Sequence, residues 1–162
     1  MTIDIDLALQ ASIIGIGGTI AMDIWASSLQ RLTGTPATNW AMVGRWLGHI
    51  PGGRFRHENI GNAAPIPGEA GIGWVFHYVI GIAYGLLLIA MAGRGWLAEP
   101  TVLPAVALSL AFLVAPYFIM MPGLGFGIAG ANTPKPNITR LKSVLAHTAF
   151  GLGMYATALY IV

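Results

Sequence analysis

Gly71-Ile-Gly-Trp-Val-Phe-His-Tyr-Val-Ile-Gly-Ile-Ala-Tyr-Gly-Leu-Leu-Leu-Ile-Ala-Met-Ala-Gly93 contains no Lys, Arg, Asp or Glu. A hydrocarbon core about 30 Å thick takes roughly 20 apolar residues of helix to cross, so this stretch sets the class of the chain. Within it, Gly73, His77, Gly81 and Gly85 recur every four residues, which places them on one face of a helix.

The same order of features appears twice. Pro51-Gly-Gly-Arg-Phe55, Pro65-Ile-Pro67 and His77-Tyr-Val-Ile-Gly81 are followed later by Pro122-Gly-Leu-Gly-Phe126, Pro134-Lys-Pro136 and His147-Thr-Ala-Phe-Gly151. Each His-x-x-x-Gly opens an apolar run, so a tandem repeat of two-helix units is expected. An even number of crossings per unit makes the units parallel, related by a pseudo-two-fold axis along the membrane normal.

Composition agrees with a bilayer protein. The 162 residues are 56% hydrophobic and 9% charged, and the mean hydropathy is +0.71, far from the balance of a soluble domain. The length fits one domain. The absence of cysteine excludes disulfides, thiolate metal sites and cysteine nucleophiles. Four spans are predicted, over 7–29, 71–93, 103–121 and 143–162, with loops over 31–70 and 123–142. Pro122 and the glycines after it are expected to end the third helix. Asp4 and Asp6 with no basic residue before the first apolar run do not suit a secretory signal, so the first helix is expected to stay.

Basic residues set the orientation. Arg31, Arg45, Arg54 and Arg56 lie between the first two spans, Lys135, Arg140 and Lys142 lie between the last two, and only Arg94 is on the other side. By the positive-inside rule both long loops are cytoplasmic and both termini periplasmic. Trp74 and Trp96 suit the two aromatic belts. In the first loop Asn39 is placed to cap a short helix. Its stripe of Trp40, Val43, Leu47 and Ile50, with Arg45 and His49 an i,i+4 pair on another face, reads as an amphipathic segment on the inner leaflet. Arg45, His49, Arg54, Arg56 and His57 are candidate contacts for an anion or a phosphate headgroup, because guanidinium pairs suit phosphate. Basic residues near span ends also serve simply as topology anchors.

Helix faces locate a second candidate site. Ala11, Gly15, Thr19, Asp23 and Ser27 recur every four residues in the first span, as do Ser143, His147, Gly151 and Tyr155 in the last. Small residues at that spacing let membrane helices approach closely, so Asp23, His77 and His147 are expected to face protein. Each lies seven or eight residues from its nearest cytoplasmic-side charge, about 10 to 12 Å along a helix, so the three share a depth. A charge there costs about 2.5–3.5 kcal/mol and is by default functional. Tyr84, Tyr117 and Tyr155 add phenols to the candidate ligand-binding set. Two histidines and a carboxylate are also adequate ligands for a divalent metal, and two histidines alone for a haem. The bland alternative is a hydrogen-bonded pair that fixes helix register. Gly125-Phe-Gly-Ile-Ala-Gly130 matches a dinucleotide fingerprint by letter, but no strand precedes it. Asn137-Ile-Thr139 matches a glycosylation acceptor but falls on the cytoplasmic side.

Met22-Asp-Ile-Trp25, Gly44-Arg-Trp-Leu-Gly-His49, Gly53-Arg-Phe-Arg-His57, His77-Tyr78, Pro116-Tyr-Phe-Ile-Met120, Thr133-Pro-Lys-Pro136 and His147-Thr-Ala-Phe-Gly-Leu-Gly153 together resemble a family of bacterial membrane proteins. That family is catalogued as domain of unknown function number twenty-nine thirty-eight. The resemblance covers nearly the whole chain and implies a bacterial inner-membrane protein; it supplies no activity.

The expectation is therefore an all-α integral membrane four-helix bundle of two tandem two-helix repeats. The function read first is binding or transport of a cation, proton or small ligand at Asp23, His77 and His147. A haem- or metal-binding redox protein and a non-catalytic scaffold or assembly subunit are the alternatives. The lipid bilayer is the expected partner, a homo-oligomer or a membrane-protein partner is compatible, and no nucleic acid is expected. The basic asymmetry predicts that single cysteines at Asn62 and Asn137, introduced into this cysteine-free chain, are labelled from the cytoplasmic side. Cysteines at Thr2 and Ala98 should be labelled from the opposite side. Labelling of positions 62 and 137 on opposite faces would overturn the four-span count.

Overall fold

The computed structural model describes residues 5–161; Thr2, Asp4 and Val162, which entered the expectations above, lie outside the described residues. The described chain is helical, with no strand among the described residues. Among the described residues four helical stretches are long and apolar enough to cross a membrane, Ile5–Thr33, Glu69–Ala92, Val102–Leu124 and Pro136–Ile161. The first, second and fourth are single helices, named α1, α3 and α7. Between them lie α2 (Trp40–His49) and α4 (Arg94–Ala98). The third stretch comprises α5 (Val102–Ala111), a π-helical turn (Pro116–Met120) and α6 (Met121–Leu124).

The third stretch departs from the expectation that Pro122 would end it. Pro116 has no N–H to donate, and its ring crowds the carbonyl four residues back. The ladder therefore slips there. Ala115 N–H bonds back to Phe112 O, Tyr117 N–H to Leu113 O, and Met121 N–H reaches five residues back to Pro116 O. Pro122 then falls in the first turn of α6, where a missing N–H costs nothing. The helix ends at Gly125, whose φ of 90° only glycine adopts readily.

The described residues form two compact units, one of residues 5–37, 78–111 and 145–161, the other of residues 38–77 and 112–144. In the first unit the stripes read from sequence face one another. A Cβ on Gly15 would strike the carbonyl of Gly81, one on Gly81 would strike Thr19 Oγ1, and one on Gly85 would strike Ala11 O. A neighbouring face of α1 meets α7: a Cβ on Gly18 would meet Met154 and Phe150, and one on Gly153 would meet Ala21 and Gly18. On α7, Gly151 lies against Ala105 and Val106 of α5, so α1 lies between α3 and α7, and α7 between α1 and α5. Buried hydroxyls bond within this packing: Thr19 Oγ1 donates to Gly15 O at 2.9 Å and Ser109 Oγ to His147 O at 2.6 Å. Trp96, expected in an interfacial belt, is instead buried at 6% exposure, with its indole N–H donating to Thr101 O at 3.0 Å.

The second unit has its own core of Val43, Trp46, Ile60 and Leu124, with Trp40, Leu47, Ile50 and Phe76 packed on it. Helix α2 is capped as its sequence suggested, Asn39 Oδ1 accepting from the N–H groups of Ala41 and Met42 at 3.1 and 3.4 Å. It crosses the first turns of α3 at glycine, since a Cβ on Gly44 would strike Glu69 O and one on Gly73 would strike Trp40 O. Two chain reversals in this unit use the same device. Arg54 N–H bonds to His49 O and Gly53 N–H to Ile50 O; Phe126 N–H bonds to Met121 O and Gly125 N–H to Pro122 O. Both are Schellman closures with a left-handed glycine, Gly53 and Gly125.

Replacing Gly81 by Leu should force α1 from α3 and destabilise the protein by about 1–3 kcal/mol, the usual cost of overpacking. Gly71→Ala, at a position with open space around it, should shift stability by less than about 0.5 kcal/mol. Thermal unfolding in detergent measures both; equal effects would show that the close approach is not what holds these helices.

Candidate functional site

In the first unit, α1 carries Asp23 near its middle and α3 carries Tyr78. The glycine contacts at 15, 81 and 85 bring these helices close, and the Tyr78 hydroxyl donates to Asp23 Oδ2 at 3.2 Å. Asp23 is half-buried. The sequence reading had paired this carboxylate with histidines; the phenol one residue after His77 was not weighed. A signal for it existed in the chain. A tyrosine one step, about 100°, around α3 from the small-residue stripe has the reach to come back to that face.

His147 accepts from Ser109 Oγ through its backbone carbonyl. Tyr84 packs edge-on against Phe150, ring centroids 5.4 Å apart at 81°. Tyr155 is half-buried on α7.

His77 belongs to the second unit and is 7% exposed. Its imidazole stacks on the indole of Trp40, centroids 3.9 Å apart and planes 22° from parallel, and Trp74 closes the cluster at 5.8 Å. One face of the ring is thus covered by α2. Among the described residues no three His, Cys, Asp or Glu side chains are gathered so as to hold a metal ion.

The basic candidates divide into anchored and free. Arg45 does not pair with His49 across one helix turn. Its Nη2 and Nε meet the two Glu69 carboxylate oxygens at 2.7 and 2.8 Å, and its Nη1 donates to Ile60 O and Ala63 O, both at 3.2 Å. The hydrogen-bonded carboxylate pushes the guanidinium pKa above its ordinary value. The pair is 16% and 18% exposed, and Glu69 Oε2 also accepts from Ile66 N–H at 3.1 Å. Arg45 therefore ties α2, the 60–63 turn and the start of α3 together, with four of its five N–H groups spent inside the chain. The sequence reading missed Glu69 as its partner because the two are 24 residues apart.

His49 Nδ1 and His57 Nε2 lie 2.8 Å apart, and His57 Nδ1 lies 3.2 Å from Gly123 O. A carbonyl only accepts, so His57 Nδ1 carries the proton. With both rings neutral, His57 Nε2 is then the acceptor and His49 Nδ1 the donor. The His57 backbone N–H also donates to Gly123 O, at 3.0 Å, which pins the 54–58 segment to the end of α6. Gly123 itself has no room for a Cβ because the Trp46 indole covers it; that indole N–H donates to Phe55 O at 2.9 Å. On the π turn, the Tyr117 hydroxyl donates to Arg140 O at 3.0 Å.

Arg54 and Arg56 remain exposed. Arg56, His57 and Glu58 line an open depression of about 350 Å³ with Pro122, Gly125, Gly127, Ile128 and Asn132.

No curated protein and no solved structure matches the chain. The family described as Protein of unknown function (DUF2938) matches residues 12–161. With nearly the full length of the sequence covered by that match, the chain belongs to the DUF2938 family.

Proposed function

We propose that this is a multi-pass protein of the bacterial inner membrane that binds a proton or small cation at Asp23 and carries it across or senses it there. The observation that supports this is the Asp23 carboxylate, half-buried within a helix long and apolar enough to span a membrane, with the Tyr78 hydroxyl held to it. A carboxylate at such a depth is expensive to insert, by about 2.5–3.5 kcal/mol, and helix register could be fixed more cheaply by the glycine contacts and buried hydroxyls already present. The phenol donates to one carboxylate oxygen, Asp23 Oδ2, and a carboxylate is a group that can take up a proton or coordinate a cation.

The proposed architecture is two tandem repeats with both long loops cytoplasmic, as the seven-to-one distribution of basic residues supports. Packing inside the first unit agrees with the repeat. Gly81, four residues after His77, lies on Gly15 of α1, and Gly151, four after His147, lies on Ala105 of α5. Four residues beyond those contacts stand buried hydroxyls, Thr19 and Ser109. The twin Schellman closures at Gly53 and Gly125 pair the loops in the same order.

A second reading, a scaffold without a ligand, has one observation in its favour: among the described residues no buried side-chain nitrogen or oxygen lacks a hydrogen-bond partner. Reconstitution separates the two. Proteoliposomes under a pH or monovalent-cation gradient should show flux above empty vesicles, Asp23→Asn should abolish it with thermal stability nearly kept, and Tyr78→Phe should reduce it. The stability change should stay within about 0.6–2 kcal/mol, the worth of a membrane hydrogen bond. Wild-type vesicles as tight as empty ones, or Asp23→Asn vesicles as leaky as wild type, would leave the scaffold reading.

A further inference from the structure

The depression in the second unit pairs opposite charges that do not satisfy each other. Arg56 and Glu58 stand two apart on non-helical backbone. Both line the cleft, both are exposed, and among the described residues neither side chain has a hydrogen bond or ion pair. A guanidinium takes phosphate in bidentate fashion, and a carboxylate takes an ammonium. A ligand bearing both charges a few bonds apart meets both at once.

The walls are held in place before any ligand arrives. His57 clamps its segment to Gly123 through its backbone N–H and its ring. The opposite wall is a tight glycine turn with positive φ at Gly125, Gly127 and Gly130. It is closed by Asn132 N–H on Phe126 O at 2.8 Å and Asn132 Nδ2 on Gly125 O at 3.4 Å. Ala129 adopts a left-handed conformation, φ 50° and ψ 36°, which costs a non-glycine residue energy and tends to occur where structure is fixed for function. Arg140 Nε donates to its carbonyl at 3.1 Å. A Cβ on Gly125 would strike Glu58 O, so the walls meet as bare backbone. Such fixing lowers the entropic cost of binding, and about 350 Å³ is within the range of small-ligand clefts, about 300–1,000 Å³.

Position indicates where the ligand resides. Gly125 directly follows Leu124, the last residue of a membrane-length helix, which puts the cleft at headgroup depth. Phe55, between Arg54 and Arg56, is 61% exposed, and Ile128 on the cleft lining is 54% exposed. Apolar side chains beside guanidinium groups suit the boundary of headgroups and acyl chains. We propose that this cleft binds a phosphate–ammonium zwitterion, the headgroup of an ethanolamine phospholipid, with Arg56 on the phosphate and Glu58 on the primary ammonium.

Native mass spectrometry of the purified, delipidated protein tests this, with short-chain ethanolamine, choline and glycerol phospholipids of matched acyl chains and with free phosphoethanolamine as competitor. The ethanolamine lipid should bind at least about tenfold more tightly than the other two, the effect of one charge-assisted hydrogen bond. Glu58→Gln should erase that preference but keep binding of the glycerol lipid, and Arg56→Gln should weaken all three. Neither side chain supports the fold, so both variants should unfold at the wild-type temperature. Competition by free phosphoethanolamine would assign the affinity to the headgroup alone, and its absence to the lipid as a whole; either supports the site. Equal binding of the three lipids by wild type, or wild-type preference in both variants, would overturn it.

Discussion

Helices in lipid gain nothing from burying apolar surface against one another, because acyl chains are as apolar as leucine; association has to come from close packing and hydrogen bonds. The contact of α1 and α3 through Ala11, Gly15, Thr19, Gly81 and Gly85 is where this protein meets that constraint. With no Cβ at the crossing, backbones touch and dispersion is gained along both helices. Thr19 returns its hydroxyl to Gly15 O, so a polar group sits in the contact without an unmet bond. Tyr78 can reach Asp23 only because the helices are this close. The same economy recurs where α2 crosses α3 at Gly44 and Gly73, which in turn sets Trp40 against His77 and Arg45 against Glu69.

The parts legible in the sequence are those carried by short-range pattern. Uncharged runs gave the four long helices, the four-residue spacing of small residues gave the faces that meet in the first unit, and Asn39 announced the start of α2. The parts that were not legible depend on what lies across the chain. The stripe chosen on α2 included Trp40 and Val43 but left out Trp46, because the residues that bury Trp46, Ile60 and Leu124, come from distant segments. Helix spacing put Arg45 and His49 on one face, but it could not show the carboxylate 24 residues away that offers two oxygens to the Arg45 fork. Counting helical rise placed Asp23, His77 and His147 at one depth, but it announced neither the phenol that Asp23 meets nor the indole that His77 stacks on.

Two kinds of polar group result. Arg45, Glu69, His49, His57 and Trp46 bond to each other and to backbone carbonyls, and their chemistry is spent on holding the second unit. Arg56 and Glu58 are spent on nothing inside the chain, and they stand on a segment that the anchored groups immobilise. Sequence cannot distinguish an arginine that braces from one that is offered outward, since both are arginines in a basic loop. The difference is made by Gly123, whose carbonyl takes two hydrogen bonds from His57 and so fixes which way its neighbours look.

The π turn at Pro116–Met120 has a consequence in inheritance. A wide turn is equivalent to one residue inserted into a regular helix, and each added residue rotates everything beyond it by about 100°. Met121 and Leu124 are buried at 7% and 3% exposure in the phase that the insertion sets. Loss of one codon in this stretch would relax the backbone ladder toward regular hydrogen bonding while turning those two side chains off the core. The phase of this helix beyond the wide turn is thereby locked by the packing of Met121 and Leu124.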